Sequence, residues 1–221
     1  MKELKNTELF DLSRTLAKPL FQQTTYPWEV LPLIGGFVAE LGKTLTAHDY
    51  HEVETGVWVH RTASVSRTAS IAAPCIICEG AKVSHCALIR GNVIVGKNAE
   101  VGNSSEIKNA ILFDNAHAPH FNYVGDSIMG YLSHIGAGVI LSNLKSDKSS
   151  VSVAANGEKI STGLRKFGAA LGDSTEVGCN SVLGPGAVTG KNVAVYPLSH
   201  VRGFVPSERI FKSKDNIVEK H

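Results

Sequence analysis

Val95-Gly96-Lys97-Asn98-Ala99-Glu100-Val101-Gly102 sets two valines six residues apart, with a small residue, Ala99, four positions after the first. The same step extends in both directions, through Val59, Val65, Ile71, Ile77, Val83, Ile89, Val95, Val101, Ile107 and Phe113. Companion positions four residues on are mostly small: Ala63, Ala69, Cys75, Ala81, Ala87, Val93, Ala99, Ser105 and Ile111. Neither the helical period of 3.6 nor the strand period of 2 gives this pattern. A hexapeptide repeat does, and it marks a β-solenoid. Each hexapeptide makes one short strand and a turn, and three of them close a triangular coil. The large aliphatic points inward, and its companion is small because it packs near the turn. One coil cannot bury its own face, so stacked coils share a core. The expected fold is all-β: a left-handed parallel β-helix, a triangular prism of hexapeptide repeats, with an N-terminal helical segment. Its hand departs from the right-handed crossover rule, so the repeat carries the assignment.

Three regions follow. Residues 1–55 lie outside the repeat and form an N-terminal helical cap. Leu9, Phe10, Leu12, Leu16, Leu20 and Phe21 suggest an amphipathic helix ended or kinked by Pro19. Pro27-Trp28-Glu29-Val30-Leu31 opens a second helix running toward Leu41-Gly42. An open solenoid end is a sheet-edge liability, so this segment is expected to cover that end or to pack on a neighbouring subunit. Residues 56–206 are the left-handed β-helix, with an inserted loop at 142–168. The register runs to Phe113, slips by one residue between Val124 and Met129, and resumes through Ile135 and Leu141. It returns at Leu171, Val177 and Leu183, weakens at Thr189, and continues at Val195 and Val201. Within the loop, Asn156-Gly157 between two short alternating runs is a hairpin signal. A long loop on a rigid scaffold is a common place for binding residues. Residues 207–221 form a polar C-terminal tail, expected to be helical or partly disordered.

The 221 residues carry a formal net charge of +2, and no basic run with interleaved aromatics points to nucleic acid. No apolar stretch is long enough for a membrane, and Met1-Lys2-Glu3-Leu4-Lys5 is no signal peptide, so a cytoplasmic protein is expected. Cys75-Ile76-Ile77-Cys78 looks like half of a zinc or redox motif. The six-residue register, however, puts Cys75 inward and Cys78 at a turn, so the two thiols diverge. Cys86 and His85 would complete a set only on paper, and His48-x-x-His51 has no further ligands at convincing spacing. Reduced cysteines and no tightly bound metal are expected.

The stretch Ala118-Pro119-His120-Phe121-Asn122-Tyr123-Val124-Gly125-Asp126, followed by His134-Ile135-Gly136-Ala137-Gly138 and Asn143, contains the register slip. Local departures from a regular pattern are expected at functional sites. This stretch resembles the acetyltransferase domain of the bifunctional glucosamine-1-phosphate acetyltransferase/UDP-N-acetylglucosamine pyrophosphorylase family. That family carries His-x-x-Tyr-[Leu/Val]-Gly-Asp, then Asn-Ile-Gly-Ala-Gly and an Asn on the loop. The family's Glu-x-Lys appears as Glu106-Ile107-Lys108, and its arginine thirty residues before the histidine falls on Arg90. The likeness spans roughly 57–203 and is specific over 90–143. Thr162-Gly163-Leu164-Arg165-Lys166-Phe167-Gly168 resembles archaeal and related sugar-nucleotide enzymes.

The resemblance implies acetyl transfer from acetyl-CoA, a co-substrate, to the amine of an amino-sugar phosphate, with glucosamine-1-phosphate first. It implies His120 as the base for the amine, a role that suits a group titrating near neutrality. Arg90 and Lys108, three hexapeptides apart, stack on one face and would bind the phosphate. Tyr123 would bond the phosphate or sugar, and His134 stands where the family has a sugar-contacting Asn. Asn143 would orient the amine or donate to the thioester oxyanion. Ala137 and the loop around Asn143 would offer main-chain groups to the coenzyme, Cys179 would lie by the pantetheine, and Lys145 and Lys148 would reach its phosphates. A homotrimer is implied, with each site between prisms. Leu144 replaces a Tyr common in bacterial members. No Gly-x-Gly-Thr-Arg loop is present and 55 leading residues cannot hold a pyrophosphorylase domain, so nucleotidyl transfer is not expected. Two other readings remain. One is a non-catalytic β-helix module binding a sugar nucleotide or a protein partner. The other is a hexapeptide acyltransferase with a different acceptor.

Overall fold

The computed structural model describes residues 1–220. Short parallel strands stack in three columns and make a left-handed β-helix. The first wall stacks Ser64–Val65, Lys82–Val83, Glu100–Asn103, His117–His120, His134–Ile135, Glu176–Val177, Ala194–Val195 and Arg209–Ser213. The second stacks Ser70–Ile71, Leu88–Ile89, Ile140–Leu141, Val182–Leu183 and His200–Val201. The third stacks Val57–His60, Cys75–Ile77, Val93–Val95, Ala169–Leu171, Ala187–Thr189 and Phe204–Val205. Two longer strands, Glu106–Leu112 and Tyr123–Met129, run through both the second and third walls. Asparagines turn many of the corners in the left-handed region, including Asn92, Asn98, Asn115, Asn180 and Asn192, a conformation that residue tolerates better than most.

The interior is the expected column of aliphatics, from Val57 to Phe211, with Cys75 and the alanines filling the narrow places. Thr189 replaces an aliphatic there; its hydroxyl meets that of Thr175 at 2.9 Å, so the polar group is satisfied inside the prism. The register slips twice, not once. Ile107 sits over Ile89, yet Leu112 sits over Val95. In the next coil Ile107 pairs with Val124 and Leu112 with Met129. The first five-residue step therefore lies at Ile107–Leu112, and the inward residues are Ala110 and Leu112. Phe113 and Ile111, read as inward from the period of six, point outside the prism instead.

Outside the third wall lies a second core. Its wall residues are Trp58, Ile76, Ile94, Ile111, Ile128, Ala170 and Val188. They are the outward middles of apolar triplets such as Cys75-Ile76-Ile77 and Val93-Ile94-Val95, the pattern of strands buried on both faces. Residues 1–45 cover them. This segment is a chain of short helices, Asn6–Leu9, Lys18–Gln22, Pro27–Val30 and Ile34–Thr44, joined by 3₁₀ turns. Residues 1–45 lie along the side of the prism as a strap, because the apolar surface to be buried is there; of the segment 1–55, Tyr50–Glu54, a strand and not a helix, covers an end by pairing antiparallel with Val57–His60 at the edge of the third wall. Phe10, Phe21 and Phe113 form an aromatic cluster with centroids 5.1–5.6 Å apart. At the open end Val65 stays 37 % exposed.

Two contacts fix the strap. Gly42 lets the helix Ile34–Thr44 lie on the Trp58 ring, which a Cβ there would overlap. The Asp173 carboxylate accepts from the backbone N–H of Asp11 at 2.6 Å and of Tyr131 at 2.8 Å, and it pairs with Lys191 at 3.3 Å. The insertion forms an arm whose hairpin, Ser152–Ala155 with Glu158–Ser161, turns at Asn156-Gly157. Val151, Val153 and Phe167 of the arm join the outer core. The tail is neither helical nor disordered over the described residues. Arg209–Ser213 extends the first wall and Asn216–Glu219 pairs back on it; His221 lies outside the described residues. Among the described residues no helix is long and apolar enough to cross a membrane.

Cys75 sits inside the prism and Cys78 in the outer core, on opposite sides of the wall. Burial raises both thiols, Cys78 to about 12.

Candidate functional site

The edge between the first and second walls, at Phe121-Asn122, carries most of the singled-out residues. His120 ends the first-wall strand and is exposed. Its carbonyl accepts from Gly138 N–H at 3.0 Å, which aligns it with Ala137 in the next coil. One coil further, the carbonyl of Ala137 accepts from Asn180 N–H at 2.8 Å, which brings Cys179 into the same column. His120, Ala137 and the exposed Cys179 thus form a line along the prism axis. A Cβ on Gly136 would crowd the Cys179 backbone and sulfur, so this part of the line is closely stacked. His134 sits on the same wall three residues before Ala137, with Nδ1 2.9 Å from Glu176 Oε2.

The second wall carries the rest. Arg90 and Lys108 stack one coil apart, as their spacing implies: Arg90 N–H donates to the Ile107 carbonyl at 2.8 Å. Each has a carboxylate partner. Arg90 donates to Glu106 at 2.7 Å, in a largely exposed pair. Lys108 pairs with Asp126 at 3.3 Å, and Asp126 is only 5 % exposed. Asn109 also donates to Asp126, at 2.9 Å. Asn143 donates to the same carboxylate and, at 3.2 Å, to the Tyr123 hydroxyl. Partial burial, followed by the charges of Asp126 and Glu106, pushes the Tyr123 phenol above its usual range. Asp126 and Asn109 sit at the two tightened corners with φ of 47° each. The five-residue steps bring these corners into stacked contact.

Two buried residues that sequence reasoning did not single out hold this edge together. Asn122, 3 % exposed, accepts from His120 N–H at 2.9 Å and donates to the Gly136 carbonyl at 2.8 Å. Asp126 gathers Lys108, Asn109 and Asn143. The motif contained both, but only the fold shows that Asn122 is buried and that Asp126 collects these partners. The arm supplies a basic cleft of about 530 Å³, lined among others by Lys145, Lys159, His200 and Arg202. Lys145 is tied to Ser149 and to the Ser150 carbonyl. Nothing in the repeat marks His200 or Arg202, because the arm that faces them lies far earlier in the chain.

The stacked coils define the class of protein: a hexapeptide-repeat left-handed β-helix. Within it, the chain resembles the C-terminal region of sugar-1-phosphate nucleotidylyltransferases with an acetyltransferase half. The family described as "GMPPB C-terminal domain" matches residues 71–165. The bifunctional sugar-1-phosphate nucleotidylyltransferase/acetyltransferase of Sulfurisphaera tokodaii is 34% identical over 103 residues, covering 47% of this chain and 26% of that protein. The bifunctional protein GlmU of Methanococcus vannielii is 33% identical over 111 residues, 50% of this chain and 27% of that protein. The chain thus spans about a quarter of the length of these curated relatives. Among solved structures, an AntD N-acyltransferase variant from Bacillus cereus, in complex with dTDP and coenzyme A, has a TM-score of 0.45 at 15% identity, covering 78% of this chain and 90% of that one. PerB from Caulobacter crescentus, in complex with CoA and GDP-perosamine, has a TM-score of 0.35 at 16% identity, with coverages of 75% and 57%.

Proposed function

We propose that this chain is an acetyl-CoA-dependent N-acetyltransferase for an amino sugar that carries phosphate, with glucosamine-1-phosphate as the first acceptor to test. The supporting observation is the edge at Phe121-Asn122. It sets His120, Ala137 and Cys179 along one wall, and Arg90, Lys108, Tyr123 and Asn143 along the next.

In this reading the acceptor binds as the neutral amine, and His120 removes one proton from its nitrogen as that nitrogen attacks the thioester carbonyl. The tetrahedral oxyanion takes a hydrogen bond from Asn143 or a main-chain N–H. Collapse breaks the C–S bond, and the proton on His120 passes to the departing thiolate of coenzyme A. Ala137 and Cys179 flank the pantetheine arm, and the basic cleft with Lys145 and Arg202 takes the coenzyme phosphates. The acceptor phosphate draws Arg90 away from Glu106, because an exposed ion pair is worth only about 0–1 kcal/mol. Lys108 keeps Asp126, whose buried carboxylate would be costly to leave alone. His134 borders the sugar.

The edge of a prism is convex, so outward side chains on its two walls diverge. A pocket using both sets therefore needs a second copy of the chain, and a homotrimer closes the arrangement.

A coenzyme A thiol-release assay with glucosamine-1-phosphate tests this. The expected result is turnover by the wild type and a loss of roughly 10²–10⁴-fold in kcat for His120→Ala. No turnover at high enzyme concentration, or an indistinguishable variant, sinks the proposal. Preference for another amine redirects the acceptor assignment.

A further inference from the structure

Beside the Asn143–Asp126 network lies a second cleft, of about 430 Å³. The strap supplies one side through Leu31 and Pro32, and the arm supplies the other through Leu144 and Leu164. Asn109 and Asp126 form its floor, and Arg165 and Lys166 line it from the arm. The volume falls within the ~300–1,000 Å³ range of small-molecule sites and is more than a lone phosphate fills.

The charges in this cleft differ from those beside it. Arg90 and Lys108 already have carboxylate partners. Arg165 and Lys166 are exposed, and among the described residues neither makes an ion pair. The backbone that carries them is anchored beside the cleft. Lys166 bridges antiparallel to Leu144, and the next residue, Phe167, is fully buried with its N–H on the Asn143 carbonyl at 3.0 Å. Opposite, Trp28 is 2 % exposed, stacks on Tyr26 and reaches Phe167 with ring centroids 6.0 Å apart. Strap and arm are thus packed together beneath the cleft, and the walls are pre-formed. Two unneutralised cations beside four apolar side chains suit a ligand with a phosphate chain and a flat, weakly polar body.

We propose that this cleft binds the nucleoside diphosphate of a nucleotide-linked amino sugar, with Arg165 and Lys166 on the diphosphate and the base between strap and arm. Resting on the acetyltransferase reading, this narrows the acceptor class: the sugar lies over Tyr123 and Asn143, and the nucleotide extends past Asp126 into the cleft. A monophosphate would reach the first part of this path and leave the cleft unfilled.

Equilibrium calorimetry on the full chain tests the subsite without relying on turnover. The probes are UDP, GDP and dTDP, with inorganic pyrophosphate and coenzyme A as controls. At least one nucleoside diphosphate should bind more tightly than pyrophosphate, and its affinity should fall about tenfold or more in the Arg165→Ala/Lys166→Ala double variant. Leu164→Asp should remove the advantage over pyrophosphate. Undetectable nucleotide binding at millimolar concentration, an unaffected double variant, or displacement of the nucleotide by coenzyme A would each overturn the inference, the last by assigning the cleft to the coenzyme. Nucleotide binding without acetyl transfer to any amine would sink the acetyltransferase reading alone. Turnover of glucosamine-1-phosphate without nucleotide binding would sink only the subsite.

Discussion

Asn122 fixes the peptide that presents His120. Its side chain accepts from the His120 N–H, donates to the Gly136 carbonyl, and lies 3.5 Å from Ser105 Oγ, all from a buried position. Asn122→Ala leaves those groups without a partner, which costs about 1–3 kcal/mol for an unsatisfied buried group. The expected outcome is a lowered Tm in a calorimetric melt; an unchanged Tm would show that the edge does not depend on it. Cys78 gives a second test at this scale. Burial lifts its thiol from 9.0 to about 12, so between those values the unfolded chain loses a proton that the folded chain keeps. Stability from this group is full below pH 9 and is lost as pH rises toward 12. Denaturant titrations should show wild-type stability falling above pH 9, with Cys78→Ala shallower there by roughly 1.4 kcal/mol per pH unit. Equal slopes would rule the thiol out as a source of alkaline lability.

At the scale of elements, the helix Ile34–Thr44 touches the third wall through a glycine. Gly42→Ala would push a methyl into the Trp58 ring and should destabilise by about 1–3 kcal/mol, as overpacking does. The effect should appear as earlier denaturant loss of Trp fluorescence; an unshifted midpoint would mean the helix can lift at no cost. The strap also shows what was legible in the chain. The period of six made the prism and its walls legible directly, since inward spacing is set by coil geometry, and Asn156-Gly157 did the same for the arm's hairpin. The strap's apolar residues were legible too, but not their destination. The clue was the run of apolar triplets at 75–77, 93–95 and 110–112. A wall wetted on its outside has no reason to put isoleucine at 76, 94, 111 and 128. The tail's strand is not legible because Arg209-Ile210-Phe211-Lys212-Ser213 has no alternation and takes its form from its neighbour in the first wall. For the site, the motif located the edge, but the pairing of Arg90 with Glu106 and Lys108 with Asp126 depends on coil register. A one-residue slip hidden at 107–112 obscures that register.

For the whole molecule, the third wall is occupied by strap and arm, so two walls remain for other copies. Their shared edge carries Phe121, 62 % exposed, and Leu198, 80 % exposed, both at positive φ. Large apolar residues in that backbone conformation and in water are costly on both counts. In the proposed trimer they meet neighbouring chains. Sedimentation equilibrium should therefore give three times the 23.6 kDa chain mass, and Phe121→Asp should shift the species to monomer with its circular dichroism unchanged. A wild-type monomer, or a trimer indifferent to the substitution, would contradict this. The paired five-residue steps also constrain how this molecule can be altered. Elsewhere along the prism a coil is an eighteen-residue module that can in principle be lost, gained or exchanged. At the two tightened corners Asn109 reaches Asp126 only because both steps are short. Lengthening one alone would set the corners out of line and part Lys108 from its carboxylate. The two coils therefore act as a single block, and a chimera joined between them should keep its prism and lose its site.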